Sequence, residues 1–127
     1  MKKRAALKPP KPTEAKFKVV LGDYGYRVTP ATHELWFLGN APRVSIAIVN
    51  KTSAQLAVEI ADDGVIQHSE GVFATNIDGN ATGTLEIKGR PRTAHFDLLI
   101  WCSPCEGVTF RARANSDPRI VVRPSPA

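Results

Sequence analysis

The chain is predicted to be all-β, an immunoglobulin-like or jelly-roll β-sandwich with an extended basic N-terminal arm. Three observations predict it. Runs rich in apolar and β-branched residues recur with turn formers between them about every eight to twelve positions, the spacing of a sandwich or barrel. No stretch places apolar residues at i, i+3, i+4 and i+7 for long enough to make an amphipathic helix. The excess positive charge lies at one end.

That charge is confined to residues 1 to 18, which hold seven Lys or Arg against one acid, Glu14. The rest of the chain holds ten basic and eleven acidic groups, so the formal net charge of +5 belongs to the N-terminal region and the body is close to neutral. Residues 1–13 include Pro9-Pro10-Lys11-Pro12 and show no apolar periodicity, which predicts an extended, solvated arm carrying Lys2, Lys3, Arg4, Lys8 and Lys11. Ala5, Ala6 and Leu7 are the only apolar residues between the first cations and Lys8, short of the ~7–15 that an export signal requires. The expected setting is therefore the cytoplasm or a virion, without secretion by a signal peptide. The longest apolar run, Leu98 to Cys102, is far below the ~20 residues of a membrane span, so no membrane partner is expected.

Residues 14–123 are expected to form a single domain, since a chain of 127 residues can bury one core without metals or disulfides. Residues 124–127 follow as a short tail. The predicted strands are Ala15 to Leu21, Tyr24 to Thr29, Glu34 to Leu38, Arg43 to Asn50, Ala54 to Ala61, Val65 to His68 and Val72 to Ala74, then Thr84 to Lys88, Ala94 to Trp101, Val108 to Ala114 and Arg119 to Arg123. Between them lie Gly22-Asp23, Gly39-Asn40, Asp62-Asp63-Gly64, Asp78-Gly79-Asn80, Gly89-Arg90-Pro91 and Asn115-Ser116-Asp117-Pro118, all rich in turn chemistry.

Alternation is cleanest at Val44, Ile46 and Ile48 and again at Leu56, Val58 and Ile60, which predicts one hairpin closed by Asn50-Lys51-Thr52-Ser53. Phe96 to Trp101 is apolar on nearly both faces and is expected to be a central strand. Two glycosylation sequons, Asn50-Lys51-Thr52 and Asn80-Ala81-Thr82, are read as turn residues.

The chemistry-bearing motif is Trp101-Cys102-Ser103-Pro104-Cys105. It resembles the W-C-x-P-C active site of thioredoxin, a resemblance that implies a reactive first cysteine at a helix N-terminus. The residues after Cys105 argue against that helix: Glu106-Gly107 is followed by Val108 to Ala114, which alternates like a strand. Ser103 to Gly107 is accordingly read as the link between two antiparallel strands, with Pro104 setting the turn. Cys102 and Cys105 are the only candidate metal ligands of that motif, and a zinc site would need two more from His33, His68 or His95, none at ligand spacing. No phosphate loop, G-x-S-x-G elbow or H-E-x-x-H motif is present, and His95-Phe96-Asp97 places an imidazole and a carboxylate on one strand face without a nucleophile. No catalysis, cofactor or small-molecule substrate is expected.

Arg111 and Arg113 share a strand face, and Arg119 and Arg123 flank the next strand. If those strands pair, the four guanidinium groups make a partner-binding patch beside the one carried by the arm. The function expected is a non-enzymatic structural or protein-interaction module, an accessory decoration-type subunit of a larger assembly such as a viral capsid, docking through sheet edges and arm, with a homo-oligomer as one form of partner. Two alternatives stand beside it: a nucleic-acid-associated protein using the arm and the arginine patch, and a thiol or zinc protein using Cys102 and Cys105.

Overall fold

The computed structural model describes residues 14–37, 43–61, 70–88, 94–114 and 117–124. The expected arm, residues 1–13, and the strand expected at Val65 to His68 lie outside the described residues. Among the described residues eleven strands are formed: β1 (Glu14–Gly22), β2 (Gly25–Thr29), β3 (Thr32–Phe37), β4 (Arg43–Asn50), β5 (Gln55–Ile60), β6 (Glu70–Val72), β7 (Ala74–Ile77), β8 (Thr82–Lys88), β9 (Ala94–Cys105), β10 (Val108–Arg111) and β11 (Arg119–Pro124).

Two mixed sheets face each other in an immunoglobulin-like β-sandwich. One runs β2-β1-β4-β8-β6, and the other β3-β11-β9-β5-β7 with β10 on β9. The β1–β4 and β3–β11 pairs are parallel and the rest antiparallel. Period-2 alternation sends Phe17, Val19, Ile46, Ile48, Leu85 and Ile87 inward from the first sheet, and Leu56, Val58, Leu98, Ile100 and Ile120 from the second. Each such side chain contributes about 1.5–3 kcal/mol by leaving water, so these two rows of side chains hold the sheets together.

Strand β9 is central as expected, flanked by β5 on one side and by β11 and β10 on the other. Other pairings differ from expectation. The hairpin expected between residues 44 and 60 does not exist: β4 lies between β1 and β8, and β5 lies in the opposite sheet between β9 and β7. Residues 51–54 are an arch that crosses the sandwich. Its turn chemistry is still that of the sequence, because Asn50 is buried and its Nδ2 donates to the carbonyls of Ala54 at 2.8 Å and Asp78 at 3.0 Å. The Asn80 amide donates back to the Thr52 carbonyl at 2.9 Å, which ties the arch to the turn before β8.

The strand expected at Val72 to Ala74 is instead two strands in different sheets. β6 pairs with β8, the chain switches sheets at Phe73, and β7 pairs with β5. The link after Trp101 is also shorter than predicted. β9 continues to Cys105, which pairs with Val108, so the turn is only Glu106-Gly107, with Gly107 at a φ of +79° that a residue lacking Cβ adopts freely. Pro104 sits in the strand, at a bulge: Cys102 pairs with Phe110 and Cys105 with Val108, so Ser103 and Pro104 together oppose Thr109. Bulges are where a sheet tolerates a residue without an amide proton.

Candidate functional site

The structure gives Cys102 and Cys105 as free cysteines in opposite environments. Cys102 is 0% exposed, on the inward row with Leu98 and Ile100, and desolvation pushes its pKa up to about 11. A thiolate nucleophile needs the opposite shift, supplied by a helix N-terminus or a neighbouring cation. Here β9 runs on as a strand through the motif, so the backbone offers no helix dipole. Among the described residues no group of three or more His, Cys, Asp or Glu is placed to hold a metal ion.

His33 is engaged structurally. His33 on β3 meets the Lys16 carbonyl of β1 through Nε2 at 2.8 Å and stands edge-on to the Phe17 ring at 4.8 Å, so it joins the two sheets along one side. The carboxylate beside His95 is taken up elsewhere: Asp97 Oδ1 accepts from Arg119 Nε at 3.4 Å.

The strand pairing on which the expected arginine patch was conditional does not occur among the described residues. Strands β10 and β11 do not pair with each other; they lie along different stretches of β9. Arg111 and Arg113 converge on Asp117, at 2.9 Å and 3.3 Å, while Arg119 faces Asp97. The Arg123 side chain lies outside the described residues, as do Lys2, Lys3, Arg4, Lys8 and Lys11. Arg113 has a backbone role as well: its carbonyl accepts from the Val28 amide at 3.0 Å, so the chain after β10 latches onto the edge of β2 in the opposite sheet.

Sequence reasoning missed the apolar end of the sandwich. Along β1 the inward row is Ala15, Phe17, Val19 and then Leu21, which pairs with Tyr26 of β2. Along β10 the residues facing the same interior are Val108 and Phe110, opposite Cys105 and Cys102. These four lie where the core lining runs past the closed sandwich. The Tyr26 and Phe110 rings meet across the gap at 6.1 Å. Leu21 stays 62% exposed, Val108 37%, Phe110 51%, and Tyr24 in the adjacent turn 97%. Large apolar side chains gathered in water at one end of a domain are of the kind found at interaction surfaces. The alternation of Val108 and Phe110 was visible in the sequence; the point at which the opposite layer ends was not.

A second feature lies on the outer face of the β3-β11-β9-β5-β7 sheet. Arg111, Trp101, Ala57 and Asn76 form one row across β10, β9, β5 and β7. The Arg111 guanidinium packs over the Trp101 ring at 5.0 Å. On the other side of the ring, where Ala57 has no bulk, is a shallow depression of about 210 Å³ bordered by Glu59, Ala74, Thr75 and Asn76.

No protein-family model and no curated protein sequence matches this chain. Solved structures do match it in fold. The CupB2 chaperone of Pseudomonas aeruginosa aligns over 73% of this chain and 54% of its own length, at 18% identity and a TM-score of 0.47. WR4, a C. elegans member of the MSP family, aligns over 76% of this chain and 94% of its own, at 12% identity and 0.49. Fet3p, a multicopper oxidase that functions in iron import, aligns over 96% of this chain and 29% of its own, at 10% identity and 0.50. This chain thus spans about half the chaperone's length and less than a third of the oxidase's. Identities this low carry the fold and nothing of the activities, which differ among the three.

Proposed function

We propose that this chain is a non-enzymatic protein-interaction module, an accessory subunit that docks on a partner within a larger assembly. The observation that carries the reading is the apolar end: Leu21, Tyr24, Val108 and Phe110 are exposed together at the open margin of the core. An enzyme reading would need an activated group, and each candidate is placed otherwise: Cys102 is buried with a raised pKa, His33 is held by a backbone carbonyl, and Asp97 is paired. Cytoplasm or virion is the setting that goes with this reading. A capsid is one assembly of the kind; none of the three structures named above is a capsid protein.

The nucleic-acid alternative is weakened at its arginine face, since Asp117 and Asp97 offset two of the three positive charges of Arg111, Arg113 and Arg119. Its remaining basis is the basic N-terminal sequence, and retention of DNA at two salt concentrations is its test.

The test of the docking reading is photo-crosslinking in the native cells. A benzoylphenylalanine is placed at residue 24 or 110, and at Lys18 on the outward face of β1 as control. Discrete adducts from 24 and 110 and none from 18 are expected. Equal labelling from all three positions, or no adduct from 24 and 110, overturns the reading.

A further inference from the structure

Strand β7 is short and forms one margin of its sheet, and the hydrogen-bond phase of its ladder shows which of its groups face outward. The Ile60 amide donates to the Phe73 carbonyl at 2.9 Å, and the β5–β7 register continues from that pair through Glu59–Ala74, Val58–Thr75, Ala57–Asn76 and Leu56–Ile77. Antiparallel pairs alternate between hydrogen-bonded and non-bonded. With Ile60–Phe73 bonded, Val58–Thr75 and Leu56–Ile77 are bonded too, and the amides and carbonyls of Ala74 and Asn76 point away from β5. The far side of β5 obeys the same phase, because the Ala61 amide donates to Asp97 on β9. Among the described residues the outward groups of Ala74 and Asn76 have no backbone partner; the Asn76 carbonyl has a 3.4 Å approach from the Thr75 hydroxyl.

The side chains of these same two residues are small and lie on the outer face, beside the Trp101 depression. Asn76 continues the Trp101–Ala57 row, and Ala74 continues the Leu99–Glu59 row. Glu59 is exposed and has no ion-pair partner among the described residues.

We propose that the β7 edge is a strand-addition site, taking an extended segment of a partner protein that presents an aromatic side chain and, two residues away, a Lys or Arg. The added strand bonds to Ala74 and Asn76. A strand at the usual spacing of about 4.8 Å beyond β7 lies roughly 14 Å from the axis of β9, so only a long side chain on each partner spans the gap to Trp101. The aromatic ring lies over Asn76 and Ala57 and meets the face of Trp101 opposite Arg111. The neighbouring row, two residues along, brings the cation to Glu59. Main-chain bonds supply attachment and the alternate side chains supply selectivity, the usual division in strand addition. This inference rests on the protein-interaction reading above and adds a second surface to it.

The probe is a short capped peptide, Ser-Thr-Phe-Thr-Lys-Thr-Ser, titrated into the ¹⁵N-labelled full chain. Shifts of the Ala74 and Asn76 amides are expected, with slowed hydrogen exchange at both. Asn76→Pro removes an outward amide without breaking a ladder bond, a place where edge strands accept proline. Ala57→Arg fills the depression. Each is expected to weaken the peptide by roughly tenfold or more. Glu59→Lys is expected to reverse the preference toward the peptide with Glu in place of Lys, and that charge-swap readout holds even if Asn76→Pro fails to fold. Saturating peptide that leaves Ala74 and Asn76 unmoved, or equal binding by Ala57→Arg and the natural chain, overturns the proposal. Crosslinks from residues 24 and 110 alongside such a failure would leave the docking reading standing and remove only this edge.

Discussion

Asn50 and Thr52 grip each other inside the arch between the sheets: Asn50 Oδ1 accepts the Thr52 amide at 3.0 Å and the Thr52 hydroxyl at 2.7 Å. The Thr52 hydroxyl oxygen then accepts the Ala54 amide at 3.1 Å. With the two bonds given by Nδ2, every polar atom of a buried side chain is satisfied, and each bond holds a piece of backbone that must cross from one sheet to the other.

Asn50→Ala leaves the buried Ala54 carbonyl and Thr52 amide without their partner, at a cost of about 3 kcal/mol. Urea unfolding checks it: the midpoint is expected to fall with the slope unchanged. Asn50→Asp keeps the acceptor but turns oxygen lone pairs toward two carbonyls, and is expected to lose at least as much. A change within about 0.5 kcal/mol for either variant would show that the arch is held by something else.

Gly83 on β8 is set by its neighbour across the sandwich. A Cβ there would lie 2.5 Å from Ile77 Cγ1 and 2.7 Å from Cδ1. Gly83→Ala is expected to cost about 1–3 kcal/mol through overpacking. The diagnostic is a double-mutant cycle: combined with Ile77→Ala, itself costing about 2–5 kcal/mol, the pair is expected to lose clearly less than the sum. Additive losses would mean that the two positions do not compete for one space.

These two sites show what the sequence made legible. The alternation at Val44–Ile48 and Leu56–Ile60 identified both strands, because a face turned toward a core imposes period 2 whichever strand lies alongside. For the same reason it could not identify their partners, and the two strands belong to opposite sheets. The extended course after Cys105 was readable from Val108, Phe110 and Ala112, and with it the absence of a helix beneath the thiols. The charge balance around Arg111, Arg113 and Arg119 was not readable along the chain, because Asp117 and Asp97 are carboxylates that the fold delivers from a turn and from another strand. The apolar end was invisible for a geometric reason: Leu21 and Phe110 have the pattern of core residues, and only the margin of the facing sheet leaves them in water.

Removing those carboxylates should create the basic surface that the sequence suggested. Asp117→Ala together with Asp97→Ala frees Arg111, Arg113 and Arg119 from their counter-charges. Retention on heparin is expected to rise and to become more salt-sensitive than in the natural chain. Unchanged elution would mean that the guanidinium groups are held apart by the backbone even without the acids.

The two thiols should be chemically distinct in the folded chain. Cys105 is exposed and Cys102 is not, so iodoacetamide near neutral pH is expected to label Cys105 alone. Labelling of Cys102 should await unfolding in guanidinium. Equal rates at both positions, read by peptide mass spectrometry, would contradict the buried, strand-bound placement of Cys102.

The same burial couples the thiol to stability at alkaline pH. Desolvation raises the Cys102 pKa from 9.0 to about 11, so the folded chain holds a proton that the unfolded chain releases earlier. The contribution is fully present below pH 9.0, falls as the unfolded state ionises, and is lost as pH rises through about 11. The difference in urea stability between the natural chain and Cys102→Ala isolates this group from the rest of the chain. That difference is expected to shift against the natural chain across this window, with a slope of at most about 1.4 kcal/mol per pH unit, the limit for one proton. A difference that stays flat through the window would mean that the Cys102 thiol ionises as readily in the fold as out of it.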